Sequence, residues 1–131
     1  MTVLIIGGVF QGKLEYTTQT YHLIPADILD FGDSDAEWNS EKRCINHLQL
    51  FIHRLLREGK SSAQIEETLL PLLSDKIVIC DDISCGIVPL DPFEREFRET
   101  VGRVLCGLAA VSDEVVRVQC GIPQIIKGAN R

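Results

Sequence analysis

The chain has 131 residues, 45% of them hydrophobic, which is enough for one domain over residues 1–131 and excludes wholesale disorder. Thirteen Lys and Arg against nineteen Asp and Glu leave a net charge of −6, which argues against general nucleic-acid binding but not against a local basic pocket for one nucleotide. No apolar run approaches the roughly 20 residues that span a bilayer, and Met1-Thr2-Val3-Leu4-Ile5-Ile6 lacks the basic start of a signal peptide, so the expectation is a soluble, cytoplasmic protein.

Thr2 to Ile6 is short, apolar and rich in β-branched residues, the pattern of a strand buried on both faces, and Gly7-Gly8 ends it. Helix-compatible sequence follows from Lys13 to Tyr21, then a possible short strand over Asp27 to Phe31. Asp30-Phe31-Gly32 spells a kinase tripeptide, but no other kinase motif accompanies it and it reads as coincidence. Glu41 to Glu58 is read as one helix, with Leu48, Phe51, Ile52, Leu55 and Leu56 at helical spacing and Gly59 as its stop. Ser61 and Gln64 form a capping box for a second helix that ends near Pro71 to Ser74. Lys76 to Cys80 reads as another buried strand, ended by Asp81-Asp82. Asp91, Pro92 and Glu94 have the N-cap, N1 and N3 identities of a long helix carrying Phe93, Phe97, Val101, Val104, Leu105 and Leu108. Val115 to Val118 is the last expected strand, followed by Gly121-Ile122-Pro123 and a tail. Strands alternating with helices indicate an α/β fold with a mostly parallel sheet.

Five cysteines (Cys44, Cys80, Cys85, Cys106, Cys120) form an odd set without a C-x-x-C pair, the pattern of reduced thiols rather than a disulfide framework or zinc site.

The most informative local feature is Gly7-Gly8-Val9-Phe10-Gln11-Gly12-Lys13-Leu14, which has the G-x-x-x-x-G-K spacing of a phosphate-binding loop between a strand and a helix. Glycines let backbone N–H groups curl around a phosphate, the helix N-terminus adds its dipole, and Lys13 would reach the β- and γ-phosphates. The competing reading is a glycine-rich turn with Lys13 as a surface charge. Leu14 stands where the motif has a Ser or Thr for Mg²⁺, which weakens the case for metal-assisted phosphoryl transfer. Asp82, at a strand's carboxyl end, is the candidate to hold Mg²⁺ instead; the alternative is that Asp81 and Asp82 only end the strand. Arg95 and Arg98 share a helix face and either grip phosphates or pair with Glu94 and Glu99.

A second segment carries a resemblance. Asp81-Asp82-Ile83-Ser84-Cys85-Gly86-Ile87-Val88-Pro89, Arg95-Glu96-Phe97-Arg98-Glu99-Thr100-Val101-Gly102, Asp113-Glu114-Val115 and Gly121-Ile122-Pro123 followed by Lys127 closely resemble the C-terminal half of the adenosylcobinamide kinase/adenosylcobinamide-phosphate guanylyltransferase family of cobalamin biosynthesis. Gly7 to Leu14 resembles that family's Gly-Gly-x-x-Ser-Gly-Lys-Ser in all but the two serines.

The resemblance implies a P-loop-type, three-layer α/β fold with a mostly parallel central sheet flanked by helices. It implies GTP or ATP bound by Gly7, Gly8, Val9, Phe10, Gln11, Gly12, Lys13 and Leu14, with Mg²⁺ as cofactor, a corrinoid (adenosylcobinamide) as second substrate, and a homo-oligomer. Family members phosphorylate the aminopropanol hydroxyl of adenosylcobinamide, then take GMP from GTP onto a histidine in an Arg-Ile-x-x-His helix and pass it to the new phosphate. Arg43-Cys44-Ile45-Asn46-His47 keeps that Arg-to-His spacing, which makes His47 the matching position and Lys13 and Asp82 its catalytic companions. A partly buried packing histidine is the alternative for His47, and His53 is expected to be solvated.

Gln11 and Leu14 replace the loop serines, Asp81-Asp82 replace Asn-Glu, and the family's Asp-Cys-Leu-Thr-Leu-Trp segment, with its further strand and acidic residue, has no counterpart here. A shortened, partly degenerate member follows. It is either a kinase/guanylyltransferase-like enzyme or a catalytically reduced paralogue that binds nucleotide or corrinoid without turnover and serves a regulatory or assembly role.

Overall fold

The computed structural model describes residues 1–83 and 90–128; Cys85 and the Gly86-Ile87-Val88-Pro89 motif lie outside the described residues. The chain runs β1 (Val3–Gly7), α1 (Lys13–Tyr21), a short 3₁₀ turn (Pro25–Asp27), β2 (Ile28–Asp30), β3 (Cys44–Asn46), α2 (Leu48–Arg57), α3 (Ser62–Leu72), β4 (Ile77–Asp81), α4 (Pro92–Val111), β5 (Glu114–Gln119) and β6 (Ile122–Lys127).

One six-stranded sheet has the order β2-β3-β4-β1-β5-β6. As expected, β1 lies between β4 and β5 and is parallel to both, with Ile5 opposite Ile79 on one side and Val116 on the other. Only β6 runs antiparallel, joined to β5 by Cys120 and Gly121, both with left-handed φ (53° and 75°) as a two-residue hairpin turn requires.

Strand alternation sorts the core into two layers. Val3, Ile5, Ile77, Ile79, Val116 and Val118 face α1, where Leu14, Tyr16 and Tyr21 cover them. Leu4, Val78, Cys80 and Val115 face the other way, under Ile52 and Leu56 of α2, Ile65 and Leu69 of α3, and Val101, Val104 and Leu108 of α4. This is the three-layer α/β arrangement expected from the sequence. The helix caps follow their residues as well: Ser61 and Gln64 close a reciprocal capping box on α3, and Asp91 accepts from the Phe93 N–H at 3.0 Å to start α4.

Two elements differ from expectation. The helix expected over Glu41 to Glu58 begins only at Leu48, and its first third supplies β3, which pairs in parallel with β2 and β4. Cys44 and Ile45 are fully buried on opposite faces of the sheet, so their burial comes from strand alternation and not from the helical stripe that starts at Leu48. The expected tail is β6, an edge strand whose outward Ile122 and Ile126 show no inward-facing periodicity. His53 also departs from expectation: it is half-buried, edge-on to Phe93 and Phe97 with ring centroids 5.2 and 4.8 Å away.

Candidate functional site

After β1 the chain turns through Gly8 to Gly12, and Gly12, at φ 87°, is the left-handed cap of α1. The loop is pinned from outside by the β5–β6 turn. The Gly121 N–H donates to the Gln11 carbonyl at 2.8 Å, and the Cys120 N–H donates to Gln11 Oε1 at 2.6 Å. At its root Gly7 packs directly on β5: a Cβ there would come within 2.4 Å of the Val118 carbonyl oxygen. Phe10, at the loop tip, has φ 58° and is fully exposed.

Lys13 is the first residue of α1, and its side chain folds back under the loop. Its Nζ donates to the Gly8 carbonyl and pairs with Asp81 Oδ1 at 2.7 Å, with only 7% of the lysine side chain exposed. Gln49, in the first turn of α2, holds the other side of Asp81: Gln49 Nε2 donates to Oδ2 at 2.9 Å, and the Asp81 N–H donates to Gln49 Oε1 at 3.1 Å. Lys13 is therefore a buried, paired cation at the base of the loop and not a surface charge.

The carboxylate beside Lys13 is Asp81, where the sequence reading had Asp82. Asp81 continues the alternation of Ile77 and Ile79 and points to the α1 side. The Asp82 carboxylate lies 4.0 Å from Arg117, whose neighbours Val116 and Val118 face α1, so that pair sits on the opposite face. Arg98 is turned to the backbone, donating from Nε to the Ile83 carbonyl at 2.7 Å, while Glu99 pairs with Arg103 at 2.6 Å.

A second polar group lies at the carboxyl ends of β2 and β3, on the same face of the sheet. Asp30 and Asn46 are register partners, and Asn46 Nδ2 donates to Asp30 Oδ2 at 3.3 Å. His47 follows Asn46 as the left-handed cap residue of α2, at φ 57°, and its Nδ1 lies 2.6 Å from Asp30 Oδ1. That oxygen also accepts the Gly32 N–H at 2.7 Å. Burial alone would raise the Asp30 pKa, but the hydrogen bonds from His47 and Gly32, the charge of His47 and the amide of Asn46 outweigh it and leave the carboxyl below its usual value.

Both groups line one cavity of about 400 Å³, which takes in Val9 to Glu15, Asn46, His47, Ile79 and Asp81. Leu14 and Glu15 also line a second, more apolar cavity of about 530 Å³ that reaches Leu23, Pro25, Ile28 and Asp30. The fold thus brings Lys13 and His47 to one cavity from the carboxyl ends of β1 and β3, the two strands that flank β4. Sequence reasoning missed Asp30, Asn46, Gln49 and Asp81. Only Asp81 had a usable signal, the phase of its strand.

The residues present do not fit a preformed Mg²⁺ site. Leu14 offers no oxygen and packs into the α1-facing core. Both Asp81 oxygens are engaged by Lys13 and Gln49, and Asp82 is on the other face beside Arg117. Among the described residues no three His, Cys, Asp or Glu side chains converge on a common point for a metal. Among the same residues no helix is long and apolar enough to cross a membrane.

His47 does not lie within a helix, so the correspondence to a histidine in an Arg-Ile-x-x-His helix is not carried by local structure. The family described as cobinamide kinase / cobinamide phosphate guanyltransferase matches the chain over residues 17–126, which is most of its length and begins after the glycine loop. A comparison with curated proteins finds no match.

Proposed function

The chain belongs to the cobinamide kinase / cobinamide phosphate guanyltransferase family, and on that premise we propose that it binds a purine nucleoside triphosphate, GTP or ATP, with its phosphates on Gly7 to Leu14 and His47 facing them. The observation that carries this reading is the buried Lys13 ammonium at the base of the glycine loop, in the same cavity as His47. On binding, the terminal phosphates compete with Asp81 for Lys13, and the loop N–H groups and the α1 dipole complete an anion cradle. The adjoining apolar cavity leaves room for the organic part of a substrate, here a nucleoside or the side arm of a corrinoid.

The chemistry proposed for His47 is nucleotidyl transfer. Its Nε2 lone pair attacks the α-phosphorus of GTP, a P–N bond forms, the bond to the bridging oxygen breaks, and pyrophosphate leaves with Lys13 neutralising part of its charge. The phosphate oxygen of a phosphorylated corrinoid then displaces the histidine and takes the GMP group. This assignment rests on the cavity shared with the phosphate loop, not on the helix correspondence. Intact-mass analysis after incubation with GTP tests it. One GMP added to the wild-type chain, lost in His47→Asn and kept in His53→Asn, supports the assignment. A chain that binds GTP without acquiring the adduct overturns it.

A second reading has its own support. Leu14 and the fully engaged Asp81 favour a catalytically reduced paralogue that binds nucleotide or corrinoid without turnover. GTP affinity that is unchanged by Mg²⁺, together with no adduct and no phosphorylated corrinoid, is the result this reading requires.

A further inference from the structure

The tripeptide Asp30-Phe31-Gly32 has a local purpose in the fold. Phe31 anchors it, stacking on Phe51 with ring centroids 4.2 Å apart and lying under the Arg54 guanidinium. Gly32 leaves room for the polar group beside it: a Cβ there would lie 3.0 Å from Asp30 Oδ1 and 3.2 Å from His47 Nδ1. The Asp30 carboxylate is held at both oxygens, by Gly32 N–H and His47 on Oδ1 and by Asn46 on Oδ2. Asn46 in turn accepts the His47 backbone N–H at 3.0 Å, which fixes the cap that carries the imidazole.

We propose that Asp30 is a positioning residue for His47: it accepts a hydrogen bond from Nδ1–H, fixes the neutral ring as the Nδ1–H tautomer, and leaves the Nε2 lone pair for the cavity beside the glycine loop. This rests on the nucleotidyl-transfer reading for its purpose but not for its geometry. A free histidine side chain prefers to carry its proton on Nε2, which would block attack from that atom, and a carboxylate at 2.6 Å from Nδ1 reverses the preference. The arrangement has the logic of an acid that orients a catalytic histidine, in which losing the carboxylate's charge leaves the ring in place with the proton on the wrong nitrogen. Held at three points, Asp30 cannot follow the ring if it rotates, so the orientation is set before a ligand arrives.

Long-range ¹H–¹⁵N NMR of the imidazole reads the tautomer directly and needs no activity. The expected wild-type signature is protonated Nδ1 and unprotonated Nε2 for His47. In Asp30→Asn the population shifts toward Nε2–H, and the rate of GMP-adduct formation falls by about 10²–10⁴-fold while GTP affinity changes less than about threefold. Gly32→Ala, which pushes a methyl group at the contact without removing the carboxylate, should show the same shift to a smaller degree. A wild-type His47 that carries its proton on Nε2 overturns the proposal whatever the variants do. So does an Asp30→Asn variant with unchanged tautomer and rate. If the tautomer responds but the wild type forms no adduct, Asp30 keeps its positioning role and the nucleotidyl-transfer reading is the one that fails.

Discussion

Lys13 and Asp81 form an ion pair 2.7 Å long beneath the glycine loop, with 7% and 11% of their side chains exposed. Removing one member of such a pair leaves an uncompensated buried charge, whereas removing both is far milder. Lys13→Ala should therefore lose about 3 kcal/mol of folding stability as well as about 1.5–3 kcal/mol of nucleotide affinity. The double variant Lys13→Met/Asp81→Asn should recover most of the stability and none of the affinity. Denaturant unfolding and nucleotide titration on the three proteins check this, and a double variant that regains nucleotide binding would remove Lys13 from the site.

The lowered pKa of Asp30 makes a pH prediction with a definite sign. The folded carboxyl binds its proton at lower pH than the ordinary value of 3.8, so the unfolded chain carries more protons in the window between them and stability rises with pH there. The contribution is fully present above pH 3.8 and is lost as pH falls through the folded value. In urea unfolding, the gap in midpoint between wild type and Asp30→Asn should be open near neutrality and close in acid. A gap that is constant with pH would show that the carboxylate gains nothing from His47, Gly32 and Asn46.

Burial divides the four cysteines among the described residues. Desolvation pushes the Cys44 and Cys80 thiols up to about 12, while Cys106 and Cys120 are exposed. Since the thiolate is the reactive species, alkylation near pH 8 should modify Cys106 and Cys120 within minutes and reach Cys44 and Cys80 only after unfolding. Peptide mapping by mass spectrometry reads the four sites separately. Early modification of Cys44 would contradict the placement of β3 inside the sheet.

β6 is the outer strand of the sheet, and its Ile122 and Ile126 are 69% and 55% exposed. An open apolar edge is a template for pairing with another chain, and natural edges are commonly blocked with charge. A homo-oligomer is the expected state, with light scattering at tens of micromolar giving a mass above 14.6 kDa and Ile126→Lys lowering it. A wild-type chain that stays monomeric at those concentrations counts against this.

The central strands were legible in the sequence because burial on both faces makes β1 and the first four residues of β4 read as unbroken apolar runs, and β5 carries Val115, Val116 and Val118 close together. Three-residue β3 was not, since Cys44 and Ile45 run into the helical stripe beginning at Leu48 and a window long enough to detect one period absorbs the other. The glycine loop was legible because its geometry demands glycine where Gly7 packs on Val118 and where Gly12 takes a left-handed φ. Which aspartate lies beside Lys13 was legible only through strand phase, which puts Asp81, and not Asp82, in step with Ile77 and Ile79. Asp30 was hidden for another reason: its partner is 17 positions away, and only the parallel pairing of β2 with β3 puts the two side by side.

The tie between Gln11 and the Cys120–Gly121 turn has a consequence for the order in which the molecule is made. The two N–H groups that brace the glycine loop come from residues 109 and 110 positions later in the chain, on a hairpin that cannot form until β5 has docked beside β1 and β6 has turned back on it. A growing chain therefore carries the whole glycine loop well before Cys120 and Gly121 emerge to brace it. A product truncated before Cys120 would keep Lys13 and His47 yet present them on an unbraced loop.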